Sequence, residues 1–481
     1  MGGFSFPPVS YPHNVKEVSD MKRKLSVLLA ALLCALSLAS CGAPPAGISE
    51  SAESSGKTSG SSSSGTVDKD ALRVCVDLEY RAGYTEGKTP ENAFYNLMNT
   101  VKSLGGPENV SFEYLPREGT ERETALDRVR TEIMSGGGPD MFIIACNGGI
   151  DYMASDVEAL FRVPEKAMEA GLFLPLDDYI QNAQFMEWNK LNETVMAAGK
   201  AEQGQLILPL TYTFPVTVYR ADDVPNLPDK STTWADEVSG DIALQASGAW
   251  GTACHEDLSL LNNYALSYIL SMPVDYANET LSFTENELFK RISEMHDLKE
   301  RVKAQKDTPD HIQFDMNVRF NDFLQYNDRY SIKDYEDVTF IPLYTTSGGA
   351  TASIVSYAAI NSNTKRAEDA FFILDVLMSS SMQRTSNFYK NLFDQCAIPM
   401  QTNLMLVDSS DTRVQGWGLS ETNFNALCDT RKQITNVQFR SSVTMELDKL
   451  YKKCDADWGD EAAVRADISE TYAAIMRLIS E

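Results

Sequence analysis

The side chains that most often carry catalysis are thinly spread in this chain. Its 481 residues include four histidines, His13, His255, His296 and His311, too few for a histidine-based metal cluster or a catalytic triad. Eight cysteines are present, but Cys75, Cys146, Cys254, Cys396, Cys428 and Cys454 show no CxxC spacing, which disfavours zinc. No G-x-S-x-G, H-E-x-x-H or G-x-x-x-x-G-K-[ST] segment occurs. Carboxylates are abundant, and neighbours such as Asp177-Asp178 and Asp222-Asp223 could mimic the pair that hydrolyses glycosidic bonds. That reaction needs two carboxyls at a set separation across a sugar, which adjacency in sequence does not supply. They read better as solvated surface. No catalytic residue, metal or cofactor is therefore expected. With 42 basic against 68 acidic residues, the formal charge of -26 repels phosphate backbones and argues against nucleic acid as a partner.

One cysteine does have a chemical context. Lys22, Arg23 and Lys24 form a basic cluster, followed by an apolar run from Leu25 to Leu38. That run is too short to span about 30 Å of hydrocarbon but fits the core of a signal peptide. It ends in Leu38-Ala39-Ser40-Cys41-Gly42, which resembles the bacterial lipobox, so Cys41 is the expected lipidation site. Acyl chains contribute about 0.8 kcal/mol per buried methylene, so two or three of them anchor a protein durably. Residues 1–20 read as a start-site extension, 21–40 as the lipoprotein signal peptide, and 41–70 as the lipidated cysteine with a Ser/Gly-rich tether too polar to build a core.

Order begins after the tether. Leu72 to Val76 forms a short apolar strand, Glu91 to Leu104 a helix, and Val110, Phe112 and Tyr114 alternate as a strand does. Thr120 and Glu123 have the spacing of a capping box, ahead of a helix whose stripe is Ala125, Leu126, Val129, Ile133 and Met134. Gly136-Gly137-Gly138-Pro139 stops it, and Met141 to Ala145 forms a buried strand. This β-α-β-α-β order opens a parallel sheet with helices on both faces, whose ligands belong beyond the carboxyl ends of the strands. Further strands are expected at 206–209, 216–219, 340–343 and 352–360. A mostly helical region runs from 229 to about 335, with a capping box at Thr284 and Glu287, and helices dominate again after Phe371.

Several of these stretches resemble family 1 of the bacterial extracellular solute-binding proteins of ABC importers. The resemblance rests on the run from Thr131 to Phe142 (TEIMSGGGPDMF), Gly171 to Asp177 (GLFLPLD), Leu206 to Leu210 after Gly204, Pro228 with Thr233-Trp234-Ala235-Asp236-Glu237, and Glu368 to Leu374. It covers about residues 71–400; the last 80 or so resemble the family only in being helical. It implies an α/β, periplasmic-binding-protein-like fold of two lobes, each an open, mostly parallel sheet flanked by helices, joined by a hinge. Lobe 1 is expected at 71–215, with about 341–385 returning to it, and lobe 2 at 216–340 and 386–481. The implied function is capture of a solute, expected to be a sugar or oligosaccharide, by hinge closure and its delivery to ABC permease subunits. The protein would be a monomer, lipid-anchored on the extracytoplasmic face of the cell membrane.

Sugars present hydroxyl edges and apolar C–H faces, so their sites combine carboxylates and amides with aromatic rings. On topological grounds the candidates are Asp77, Glu79 and Tyr80 just past the first strand, Asn147 after the strand ending at Ala145, and Tyr212 and Thr213 near the expected hinge. Trp250, Tyr344 and Trp417 are candidate walls or stacking platforms. Trp234 reads instead as a helix staple, Cys146 as a small buried filler, and Gly348-Gly349 as a turn needing positive φ. Two other functions share these features: a surface glycan-degrading lipoprotein using a carboxylate pair, and a ligand-binding subunit of a sensory system.

Overall fold

In a chain that alternates short apolar strands with amphipathic helices, each helix must bury its stripe against the sheet. The computed structural model describes residues 70–77, 90–116, 118–146, 158–220, 229–240, 265–271, 274–304, 338–384, 398–399 and 421–480. These all belong to one unit, Val67–Glu481. It opens with β1 (Leu72–Asp77), α1 (Pro90–Ser103), β2 (Val110–Tyr114), α2 (Gly119–Met134) and β3 (Met141–Ala145). β1 lies parallel to both β2 and β3, as the sequence pattern predicts.

The glycine-proline turn before β3 explains its own composition. Gly136 and Gly138 take φ of 81° and 94°, where a Cβ is strained. The Asp140 side chain then accepts the Arg73 N–H at 2.9 Å, and Asn361 Nδ2 donates to the carbonyls of Gly137 and Pro139. The turn thus ties β1 to β3 and to the distant segment at 361. Two local expectations are corrected here. Helix α2 begins at Gly119, two residues earlier than a Thr120 cap allows, so Thr120 sits inside it and no side chain caps it. Met134 lies at 87% exposure, off the stripe, which instead runs through Arg122, Leu126, Val129 and Ile133.

The chain continues through α3 (Pro164–Glu169), α4 (Asp177–Gln181), α5 (Glu193–Met196), the small β4 (Lys200–Ala201) and β5 (Gly204–Gln205) hairpin, β6 (Ile207–Thr213) and β7 (Val216–Arg220). Then come α6 (Trp234–Gly240), α7 (Ala265–Leu270), a hairpin of β8 (Val274–Asp275) and β9 (Thr280–Leu281), and α8 (Glu285–Ala304). β10 (Val338–Pro342), β11 (Ala350–Ile360), α9 (Ala367–Leu377), α10 (Ser380–Arg384) and β12 (Ile398–Pro399) follow. The chain ends with α11 (Glu421–Arg431), β13 (Ile434–Phe439), α12 (Ser442–Ala456) and α13 (Glu461–Ser480).

The large sheet has seven strands among the described residues, in the order β12-β6-β11-β3-β1-β2, with β13 also on β11. It is mixed: β1, β2 and β3 run parallel, as do β11 and β13, whereas β11 opposes β3 and β6. Strand β13 lies within 386–481, a stretch read from sequence as helical and belonging to lobe 2. Three polar residues in six (Thr435, Asn436, Gln438) hide its strand pattern.

Two hydrophobic cores organise the molecule. The first packs β1, β3, β6 and β11 with α1, α2 and α9. The second is built from α6, α7, α8, α12 and α13, around Trp234, Leu266, Leu288, Ile292, Leu447 and Ile475. The chain crosses between them after Val216, again between Leu343 and Ala352, and again between Phe439 and Val443. Trp234 is fully buried, as expected of a staple, and its indole N–H donates to Glu294 at 2.8 Å. A capping box forms at Thr284 and Glu287, while Thr233 pairs reciprocally with Asp236 at the start of α6. This is the two-lobed α/β fold that the sequence implies.

Candidate functional site

The carboxyl ends of several strands converge on the middle of β11. β3 ends where Ala145 pairs with Ser356, and the Cys146 N–H donates to the Val355 carbonyl at 2.7 Å. β6 brings Thr211 to the same Ser356, their hydroxyls 2.6 Å apart. β13 ends with Phe439 beside Ile354. β1 finishes at Asp77, next to Ile144 of β3. Ligands in open α/β sheets sit beyond such ends. Small hydroxyls line this part of β11: Ser356, and Ser353, which accepts from Gln438 Nε2 at 3.2 Å.

Asp77 is buried here and committed to protein partners. Arg122 reaches it from α2 with a two-pronged grip, Nη1 to Oδ1 at 2.7 Å and Nη2 to Oδ2 at 3.0 Å. The Leu160 N–H donates to the same carboxylate at 3.0 Å. Arg122 also donates to the carbonyls of Pro116 and Glu158, and Arg130 to those of Ala159 and Leu160. The ends of β1 and β2 and the chain at 158–160 are thereby fastened together. The segments at 78–89 and 147–157, which carry Glu79, Tyr80 and Asn147, lie outside the described residues, as do Trp250, Trp417 and Cys41.

The remaining candidates sit at the crossings. Tyr212 is fully buried; its phenol accepts from Asn192 at 3.2 Å and from the buried Arg431. Thr213, the next residue, is half-buried. Tyr344 is also fully buried: its N–H donates to Glu237 at 3.3 Å and its hydroxyl to Gln433 at 2.8 Å. Gly348 and Gly349 take φ of 94° and 71°, and the Gly349 N–H donates to Thr232 of the second lobe. Asp77, Tyr212 and Tyr344 are thus all buried and engaged by protein partners, and the structure does not bring them together as one open surface. Sequence reasoning missed Arg122, Glu165, Glu237 and Tyr357. For Arg122 a signal existed, since an arginine on an otherwise apolar helix stripe needs a buried anion.

Burial dominates the electrostatics. It pushes Glu237 up to about 8, opposed by the Tyr344 N–H, and Asp448 up to about 7 despite nearby Arg440 and a bond from Ser267. Glu165 rises to about 7 for the same reason, with the Phe439 N–H opposing. The Cys146 thiol is driven up by burial as well, so it is an inert filler rather than a nucleophile.

A model of the bacterial extracellular solute-binding protein family matches residues 108–384. The chain belongs to that family. Its members are binding proteins, not enzymes, and work outside the cytoplasm. Among solved structures, the family 1 extracellular solute-binding protein from Alicyclobacillus acidocaldarius is similar with a TM-score of 0.50 at 12% identity, covering 85% of this chain and 98% of that one. The sugar-binding protein MalE from Xanthomonas citri gives 0.49 at 11% identity, covering 85% and 97%. The cyclic alpha-maltosyl-1,6-maltose binding protein from Arthrobacter globiformis gives 0.45 at 14%, covering 85% and 100%. Comparison with curated proteins finds no match.

Arg122→Ala should cost about 3–5 kcal/mol in urea unfolding because it strands the buried Asp77 carboxylate. The double variant Arg122→Met with Asp77→Leu should recover most of that loss; equal loss in both would show that packing, not charge, is at stake. A second prediction concerns pH. Glu165, Glu237 and Asp448 keep their protons in the folded chain at pH values where the unfolded chain has released them. Stability should fall from about pH 5 to about pH 8, by up to about 1.4 kcal/mol per unit for each group. Glu132 and Glu158 are held below the ordinary carboxylate value, so their contribution changes only at more acid pH. Glu237→Gln should flatten the slope in urea titrations at several pH values; an unchanged slope would show that Glu237 ionises freely in the folded state.

Proposed function

We propose that this chain is a lipid-anchored receptor, held through Cys41, that captures a sugar or oligosaccharide between its lobes and delivers it to the permease subunits of an ABC importer. The observation that carries the reading is the convergence of the β3, β6 and β13 carboxyl ends at residues 354–356 of β11, with the end of β1 beside β3. The chain passes repeatedly between the cores on either side of that point, a geometry in which two lobes can swing about a common hinge.

Within this reading, Glu79, Tyr80 and Asn147 follow directly from the clamped ends of β1 and β3 and supply polar contacts. Trp250 and Trp417 supply the apolar platforms that a sugar ring requires. Thr213 lies at the first crossing, while Asp77, Tyr212 and Tyr344 hold the frame. Closing over a ligand needs no bond-making, so the receptor returns its solute chemically unchanged and acts as a monomer.

A thermal-shift screen of the purified chain against mono- and oligosaccharides, amino acids and peptides tests this reading. A sugar at about 100 times its Kd should add about 2.7 kcal/mol and raise the Tm by a few degrees. Trp250→Ala should then weaken binding by at least about tenfold. A response confined to amino acids or peptides would replace the solute class, and an oligosaccharide shortened during incubation would make the protein an enzyme.

A further inference from the structure

The two cores also touch through helix α3 and the β8–β9 hairpin. Ala167 and Met168 pack α3 into the first core, and Val274 fixes the hairpin to the second. Lys166 of α3 joins them, donating at 2.5 Å to the Ile479 carbonyl near the end of α13 and lying 3.3 Å from Glu279. Its neighbour Glu165 turns inward. One carboxyl oxygen of Glu165, Oε2, is buried without a hydrogen-bond partner, while the carboxyl takes the backbone N–H of Phe439 and its own.

The surroundings of Glu165 are poor in compensation. Its own helix contributes Lys166 and Glu169, and the charge that acts on Glu165 is the repulsion from Glu169. From the hairpin, Glu169 also feels Asp275 and Glu279, which raise its own proton affinity against the pull of Lys166. The buried Tyr276 phenol is pushed up by both Glu165 and Glu169. The strand ends add the Cys146 thiol and the Tyr357 phenol, both destabilised as anions by Glu165, with Arg440 acting on Cys146. A charge on Glu165 is thus repelled and only partly hydrogen-bonded, with one carboxyl oxygen shut away from water.

We propose that α3 and the β8–β9 hairpin form a proton-sensitive clasp between the lobes, shut while Glu165 is neutral and released when it ionises. The clasp goes beyond solute capture and does not depend on which solute is bound. Near neutral pH it makes lobe contact responsive to the acidity outside the cell. Opening that exposes Glu165 grows by up to about tenfold per pH unit between the ordinary carboxylate value and about 7, and levels off above it.

Hydrogen-deuterium exchange of the whole purified chain, corrected for the base-catalysed intrinsic rate, reads this directly. Between pH 5.5 and 7, protection of peptides spanning 164–172 and 274–281 should fall about fifteenfold and then level off, while peptides from β11 keep theirs. In Glu165→Gln the loss should vanish. Glu169→Gln alters an exposed residue and so keeps the fold; there the loss should level off at lower pH, because Glu169 no longer holds the proton on Glu165. An unchanged slope in Glu165→Gln, an unchanged levelling-off point in Glu169→Gln, no loss in the natural chain, or equal loss in β11 would each overturn the clasp.

Discussion

The pairing of β11 on both sides of its midpoint is the constraint on which the rest of the structure depends. All eleven of its residues are buried, so both faces must be covered by packed side chains. Its second half is held between β3 and β6, and its first half takes β13. Because β13 arrives parallel while β3 and β6 arrive antiparallel, all three present their carboxyl ends at one place. The sheet thus gathers strand ends from remote parts of the chain. Ala350, Ala352, Ala358 and Ala359 keep the strand slim, and Ser353, Thr351 and Ser356 supply hydroxyls satisfied by Gln438, Tyr268 and Thr211.

An acidic protein has to decide where its buried carboxyls keep their charge. At Asp77, Arg122 and a backbone N–H meet both oxygens. Asp375 in α9 is met by the N–H groups of Gln184, Phe185 and Met186, which pins that loop to the first core. Glu237, Glu165 and Asp448 lack comparable partners and hold protons instead. Two of the protonated groups lie at lobe contacts, Glu237 against Tyr344 at a crossing and Glu165 in the α3 seam. Fully hydrogen-bonded carboxyls therefore fasten elements within the first lobe, whereas two of the poorly partnered ones lie where the lobes meet.

The early sheet was readable from sequence because local signals agree with the tertiary demand. Alternation in β2, the apolar run of β3 and the glycines before it all point the same way. The periodic stripe of α2 was legible too, apart from Met134 and the buried Arg122. Later elements were harder, since β13 mixes polar and apolar residues and shows itself only when paired with β11. At the site, position along the chain located Asp77 at a strand end but not its partner, which lies 45 residues away. Tyr212 and Tyr344 looked like ligand contacts because aromatic side chains near a hinge serve binding and packing equally well. Only burial and hydrogen-bond partners separate the two uses, and neither is written in a single sequence.

Capture by lobe closure is the central claim, and small-angle X-ray scattering of the purified chain with and without a binding saccharide tests it most directly. The account predicts a smaller radius of gyration with saccharide bound, reversal on its removal, and recovery of the saccharide intact. A bound saccharide that leaves the scattering unchanged would contradict closure about the β11 crossings.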